Sequence, residues 1–181
     1  DVTGVQTCAL PIFEAGPLHM GASQMSIQRT KAKLREVLLT IGSPKGLAKV
    51  YADPKEATSI AEFPCAIISL APGVDQVWSQ AAQGLARHDY TIMIYLFVGQ
   101  RQSPIGELTQ RAEQWPEPIM AALFSSLTLG GAVEWIGDVD TPMLFTYQEG
   151  QIQWGLTEKD QYWGLKIRLP VTEKISQEMG P

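Results

Sequence analysis

The sequence predicts an α+β domain: an antiparallel-rich mixed β-sheet with two main α-helices packed on one face, and one long β-hairpin. Three observations carry this. A helical stripe of apolar residues opens the patterned part of the chain. The run "YTIMIYLFV", Tyr90 to Val98, is apolar on both faces, as a covered central strand is. The closing segment Tyr162 to Val171 sets Leu165, Ile167 and Leu169 against Lys166 and Arg168, the alternation of a half-buried strand.

The elements follow in order. Between Ser26 and Ile41, residues Leu34, Val37, Leu38 and Ile41 recur at helical spacing, with Ile27 one turn pair earlier, and Gly42 and Pro44 stop the helix. Leu47 to Tyr51 is a short strand candidate, closed by Asp53-Pro54. Phe63 to Leu70, "FPCAIISL", reads as a buried strand, with Pro64 confined to its start. The segment from Gly73 to Asp89 is too long and polar for a tight turn, so the two strands around it form an extended hairpin with a long loop. Ser103 as N-cap, Pro104 at the first helical position and Glu107 in the first turn start a second helix. Trp115-Pro116 breaks that helix, because proline removes an N–H and restricts the residue before it. Ile119, Leu123 and Leu127 continue the stripe, and Gly130-Gly131 closes it. A strand begins at Val133 to Ile136, and Met143 to Tyr147 and Gln151 to Leu156 flank a hairpin-type turn at Glu149-Gly150.

Composition bounds the function. The chain is 45% hydrophobic and 18% charged, the balance of a globular domain. Its net charge of −5 argues against a general nucleic-acid binder, and no segment is long and apolar enough for a membrane helix. The basic residues are uneven: Arg29, Lys31, Lys33, Arg35, Lys45, Lys49 and Lys55 are half of the 14 in the chain. Such a cluster is either a solvated helix face or a positive patch for an acidic protein partner, with Arg29 and Lys33 as candidate contacts.

The head of the chain reads differently. "VTGVQTCALPI", Val2 to Ile12, looks like the translation of a sequencing adapter joined to an environmental DNA fragment. On that reading Asp1 to His19 is foreign to the fold, the natural start is Met20 or Met25, one domain spans residues 25–175, and residues 176–181 form a flexible tail. Cys65 is then the single cysteine, which excludes a disulfide framework and fits folding in a reducing cytoplasm.

No motif for chemistry stands out. His88, at the root of the long hairpin, has polar neighbours and reads as a surface residue with no marked nucleophile to activate. Cys65 lies inside a buried strand pattern and reads as a small packed hydrophobe. Asp138 and Asp140 sit in a turn before Pro142 without calcium-loop spacing, and zinc spacing is absent. Gly130-Gly131 follows a helix, so it caps and does not cradle phosphate. The expectation is a non-enzyme with no cofactor and no metal. Of Trp78, Trp115, Trp135, Trp154 and Trp163, core packing explains most. Trp78, on the polar hairpin with Val74, Val77 and Leu85, either folds back on its own domain or anchors a partner.

The succession of these segments resembles the tail terminator proteins of long-tailed, lambda-like bacteriophages over about Gln28 to Glu173. The stretches that carry the resemblance are Phe63-Pro64 opening an apolar strand, the strand from Thr91 to Val98, and Trp115-Pro116 within the second helix. The resemblance implies a structural virion protein. Such proteins form a homo-hexameric ring on a finished tail tube, stop its polymerisation and offer a surface to the head-side connector. It places the protein in the virion tail, assembled in the host cytoplasm, with itself, the tube protein and the connector as partners, and without membrane or specific nucleic acid. A cyclic ring uses head-to-tail contacts and so needs two different surfaces. Val74, Val77, Trp78, Leu85, Arg29 and Lys33 are the expected contact residues, the hairpin ordering against a neighbour or the tube. Open alternatives are another head–tail joining protein, a small-molecule or RNA-binding α+β domain, and a catalytic subunit completed by a partner.

Overall fold

Two strands of 16 residues each, lying antiparallel along their whole length, make the spine of the molecule. The structure, a computed structural model, describes residues 20–57, 60–73, 76–80, 85–138, 143–155 and 161–176. Its elements are α1 (Met20–Leu39), β1 (Lys49–Tyr51), β2 (Cys65–Leu70), β3 (Val77–Gln80), β4 (Leu85–Gln100), α2 (Ile105–Glu113), α3 (Pro116–Phe124), β5 (Trp135–Ile136), β6 (Thr146–Gln153) and β7 (Gln161–Ser176). The α+β class holds: a mixed, curled sheet carries the helices on one face. The adapter-like segment Asp1 to His19 and the tail beyond Ser176 lie outside the described residues.

The spine is flanked on each side by a strand broken in two. β2 pairs with Ile92 to Phe97 of β4, and β3 continues along the same edge opposite Ala86 to Asp89. On the far side β6 pairs with Gln161 to Arg168 of β7, and β5 with Val171 and Thr172. The sheet therefore has two tiers. The lower is ordered β1-β2-β4-β7-β6, with β1 the sole parallel neighbour, and the upper is ordered β3-β4-β7-β5.

Pro170 explains one of the breaks. The Pro170 carbonyl accepts from the Gly137 N–H at 2.8 Å, so this residue's backbone faces the β5–β6 side, where proline has no N–H to offer. The flanking strand is interrupted there, between Ile136 and Thr146. On the opposite side the Ala71 N–H reaches the Thr91 carbonyl at 2.9 Å before the chain turns at Gly73.

The helix-facing core joins Leu34, Leu38 and Ile41 of α1 and its following turn, Leu108 and Ala112 of α2, and Ile119 and Leu123 of α3 to Ile92, Ile94 and Leu96 of β4 and Leu165, Ile167 and Leu169 of β7. The break at Trp115-Pro116 is where expected, and Trp115 is buried in this core. A smaller aromatic core fills the other face of the lower tier. Phe97 meets Trp154 and Tyr162 edge-on at 5.9 and 5.4 Å, and Trp154 donates its indole N–H to the Ala57 carbonyl at 3.3 Å. β4 is thus covered on both sides there, as its composition requires.

Several boundaries differ from the expectations. Ser103 does not cap α2; its N–H closes the turn onto the Gln100 carbonyl at 3.1 Å, and Pro104 precedes the helix without a side-chain cap. The second helical stretch ends at Phe124, and Leu127 lies on the turn that follows. Glu149-Gly150 is no turn: both residues sit inside β6, opposite Leu165 and Gly164. Here two glycines face each other, and a Cβ on Gly164 would lie 1.7 Å from the Leu96 carbonyl oxygen. The close backbone approach is that of Gly164 to β4; a Cβ on Gly150 would meet nothing within 4 Å. β7 does not stop at Val171 but runs on to Ser176, because β4 supplies it with a partner as far as Leu85.

Candidate functional site

The upper tier carries three of the expected contact residues, Val77, Trp78 and Leu85. The segment from Gly73 to Asp89 is not an open loop: Val77–Gln80 is a strand antiparallel to Ala86 to Asp89 of β4, so its described part is a two-stranded ribbon. Val77, Trp78 and Leu85 are exposed, Trp78 by 49%. Val74 lies outside the described residues. Arg29 is exposed on α1, and Lys33 pairs with Glu36 at 2.7 Å, a surface contact worth little. Lys31 departs from the solvated-face reading: it is buried.

Trp78 folds back on its own domain by one face and leaves the other open. Its ring stacks on His88 with centroids 3.9 Å apart and planes within 7°, while its outer half faces solvent. His88 is the larger correction. It is fully buried, facing α1 beside Tyr90, with ring centroids 4.8 Å apart. What buries it is remote in sequence. Directly opposite on β7 stands Glu173, itself 2% exposed, whose carboxylate accepts from Thr30 at 2.7 Å and from the Tyr90 and Ser26 hydroxyls. These bonds tie α1 to the upper end of the spine and satisfy a buried charge, which would otherwise be costly.

The electrostatics follow from burial. Desolvation pushes the Tyr90 phenol far up, helped by its bond to Glu173. Desolvation also pushes His88 below its ordinary value, outweighing the upward pull of Glu173 and then Asp89, so the ring is neutral near pH 7. Its Nε2 lies 3.3 Å from the Gln76 amide oxygen and carries the proton toward it. Among the described residues Nδ1 has no hydrogen-bond partner, with a Glu173 carboxylate oxygen at 3.9 Å. The carboxylate accepts the three hydroxyl hydrogen bonds directly, with no imidazole between, so this cluster braces the ribbon and holds Trp78 on a firm base.

The opposite face of the upper tier mixes the polar Arg87, Asp89 and Thr172 with the exposed Val77, Leu85 and Trp135. Thr172 donates to Asp89 at 2.7 Å and Arg87 pairs with Asp89 at 2.8 Å, beside a shallow cleft of about 190 Å³. Asp138 lies at the rim of this cleft, and Asp140 lies outside the described residues. Cys65 is buried in the lower tier, and burial, reinforced by Glu62, raises its thiol to about 12.

A second exposed surface has no counterpart in the sequence reading. Phe124 at the end of α3, Trp135 on β5 and Met143 are 59%, 40% and 49% exposed, and with Leu127 and Leu144 they line a largely apolar cleft of about 230 Å³. Trp135 is therefore no core residue; of the five tryptophans only Trp115 is fully buried. Three separate segments compose the patch, so no local pattern announces it. No protein-family model and no curated protein sequence matches this chain.

Proposed function

We propose that this chain is a structural assembly protein of the tail-terminator type, which closes a phage tail tube as a homo-hexameric ring and offers its other surface to the head-side connector. The observation that carries the reading is the upper ribbon end, which displays Val77, Trp78 and Leu85 in the open while His88, Tyr90 and Glu173 hold it from beneath. Exposed aromatics on a rigid support are the usual anchors of protein contacts, because little ordering entropy is lost when they dock. The ribbon contacts the tube or a neighbouring subunit, and the basic α1 region with Arg29 and Lys33 steers an acidic partner.

The test uses the purified major tail protein of a long-tailed, lambda-like phage. Its polymerisation in the presence of the purified protein, followed by electron microscopy, is expected to give tubes that stop growing and carry a ring at one end. Tubes that grow to the same lengths with and without the protein, and bear no ring, would overturn the proposal.

A further inference from the structure

We propose that His88 and Glu173 form an acid-operated latch: a second proton on the imidazole closes it onto the Glu173 carboxylate and loosens the start of α1, while the β3–β4 ribbon keeps its hold. The inference concerns the buried cluster alone and stands or falls independently of the ring reading.

The surroundings of the ring suit imidazolium better than imidazole. Nε2 lies 3.3 Å from the Gln76 amide oxygen, and Nδ1 lies 3.9 Å from Glu173 Oε2 with no hydrogen-bond partner among the described residues. Trp78 lies parallel over one face with centroids 3.9 Å apart, and Tyr90 packs beside it at 4.8 Å. Two acceptor oxygens and an indole face match a ring with two N–H donors and a positive charge. The neutral ring, with its proton on Nε2, instead leaves a buried lone pair unpaired next to a carboxylate. Protonation is the change that pairs it.

The two oxygens of Glu173 have separate tasks. Oε1 accepts from Thr30 and Tyr90, whereas Oε2 accepts from Ser26 and is the oxygen 3.9 Å from Nδ1. A hydrogen bond between charged groups closes to about 2.8 Å, so the gap must shrink by about 1 Å. The ladder fixes the two backbones, with His88 directly opposite Glu173. The movement therefore falls on the Glu173 side chain, which draws Oε2 away from Ser26 and costs α1 its first tie to the spine.

The charges around the ring set the pH at which this happens. From β7 it is faced by Glu173, while Lys174 stands on the other face, paired with Glu134. On its own strand Tyr90 shares its face, and Arg87 and Asp89 pair on the opposite one. Trp78 and Gln76 face it from the β3 side. α1 brings Ser26 and Thr30 to the cluster and buries Lys31 next to Thr30. Burial disfavours the charged ring more than Glu173 and Asp89 favour it, so the latch closes only below the ordinary histidine value of 6.5. At neutral pH the start of α1 is held.

The experiment follows the full chain by NMR from about pH 8 to about pH 4.5. Ring nitrogen shifts report the protonation of His88, and His88→Phe shows which of the two histidine signals belongs to it. Amide protection factors are read over residues 28–34 of α1 and residues 92–96 of β4. In the wild type, His88 is expected to titrate below pH 6.5 while the protein is folded. Protection over residues 28–34 should fall about tenfold with the same midpoint, and that over residues 92–96 should fall less. In His88→Phe the α1 step should be absent. Ser26→Ala, which removes the tie that the latch breaks, should show the lower α1 protection already at neutral pH, and a smaller step.

An α1 step of equal size in His88→Phe would overturn the latch, as would a ring that titrates while α1 protection stays unchanged. A wild type that unfolds as a whole before His88 takes up its proton would overturn it too. If His88→Phe fails to fold, Ser26→Ala decides, because a full wild-type step in that variant is incompatible with the proposal.

Discussion

The lower and upper tiers of the sheet share the same two strands and are put to different uses. In the lower tier β4 is apolar on both faces, covered by helices on one side and by the Phe97, Trp154 and Tyr162 cluster on the other, while β7 is apolar toward the helices and turns Lys166 and Arg168 outward. In the upper tier the same strands carry Arg87, Asp89 and Thr172 on one face and a buried polar cluster on the other, with exposed aromatics at both edges. The lesson is that a continuous ladder lets one half supply stability and the other half supply contacts. The spine transmits rigidity to a ribbon end that could not bury enough apolar surface by itself.

The comparison can be broken most severely in the lower tier. Gly164→Ala sets a Cβ against the Leu96 carbonyl, a backbone atom that cannot rotate aside. Urea denaturation is expected to show a loss of about 3 kcal/mol or more. A loss under about 1 kcal/mol would mean that the two spine strands are not held as closely as the register requires.

Next in size is the brace of the upper tier. Glu173→Leu leaves the Thr30, Tyr90 and Ser26 hydroxyls without their shared acceptor. The expected cost is about 2 kcal/mol, and amide exchange at the start of α1 should quicken while the lower-tier amides remain protected. Uniform loss of protection across both tiers would show that the tiers do not differ in the way described.

A smaller effect comes from pH. Burial depresses His88, so in the folded protein it stays neutral over a range where the unfolded chain, with a value near 6.5, takes up a proton. The unfolded state then binds more protons, and stability falls as pH drops below about 6.5. Above that value the contribution is fully present. Melting temperatures at pH 7.5 and 5.5 should differ more in the wild type than in His88→Phe, which keeps a ring against Trp78 and removes the titration. An equal difference in the two proteins would remove His88 from the account.

Much of this division was readable in advance and part of it was not. The helix stripe ending in Leu34, Val37, Leu38 and Ile41, the Trp115-Pro116 break and the doubly covered strand at Ile92 to Val98 rest on local periodicity, and each lies where that periodicity puts it. The failures share a physical cause. Glu149-Gly150 has turn composition, but pairing with Leu165 and Gly164 of β7 carries it through as strand; β7 continues past Pro170 because the missing N–H points into a gap between β5 and β6. His88 has polar neighbours in sequence, and only Glu173 and α1 bury it. The cleft at Phe124, Trp135 and Met143 is assembled from segments that carry no joint pattern. The core was legible; the contact surfaces depended on long-range pairing.

The smallest expected effect on stability is also the sharpest test of the division between tiers. Trp78 is half exposed and stacks on His88 by one face, so Trp78→Ala should lower stability by no more than about 1 kcal/mol. A single sample of this variant, followed by a melting curve and by sedimentation across a concentration series, is predicted to melt within a few degrees of the wild type while losing self-association. A collapsed melting temperature with association unchanged would contradict the account, because it would place Trp78 in the stabilising core and leave the upper tier without its contact role.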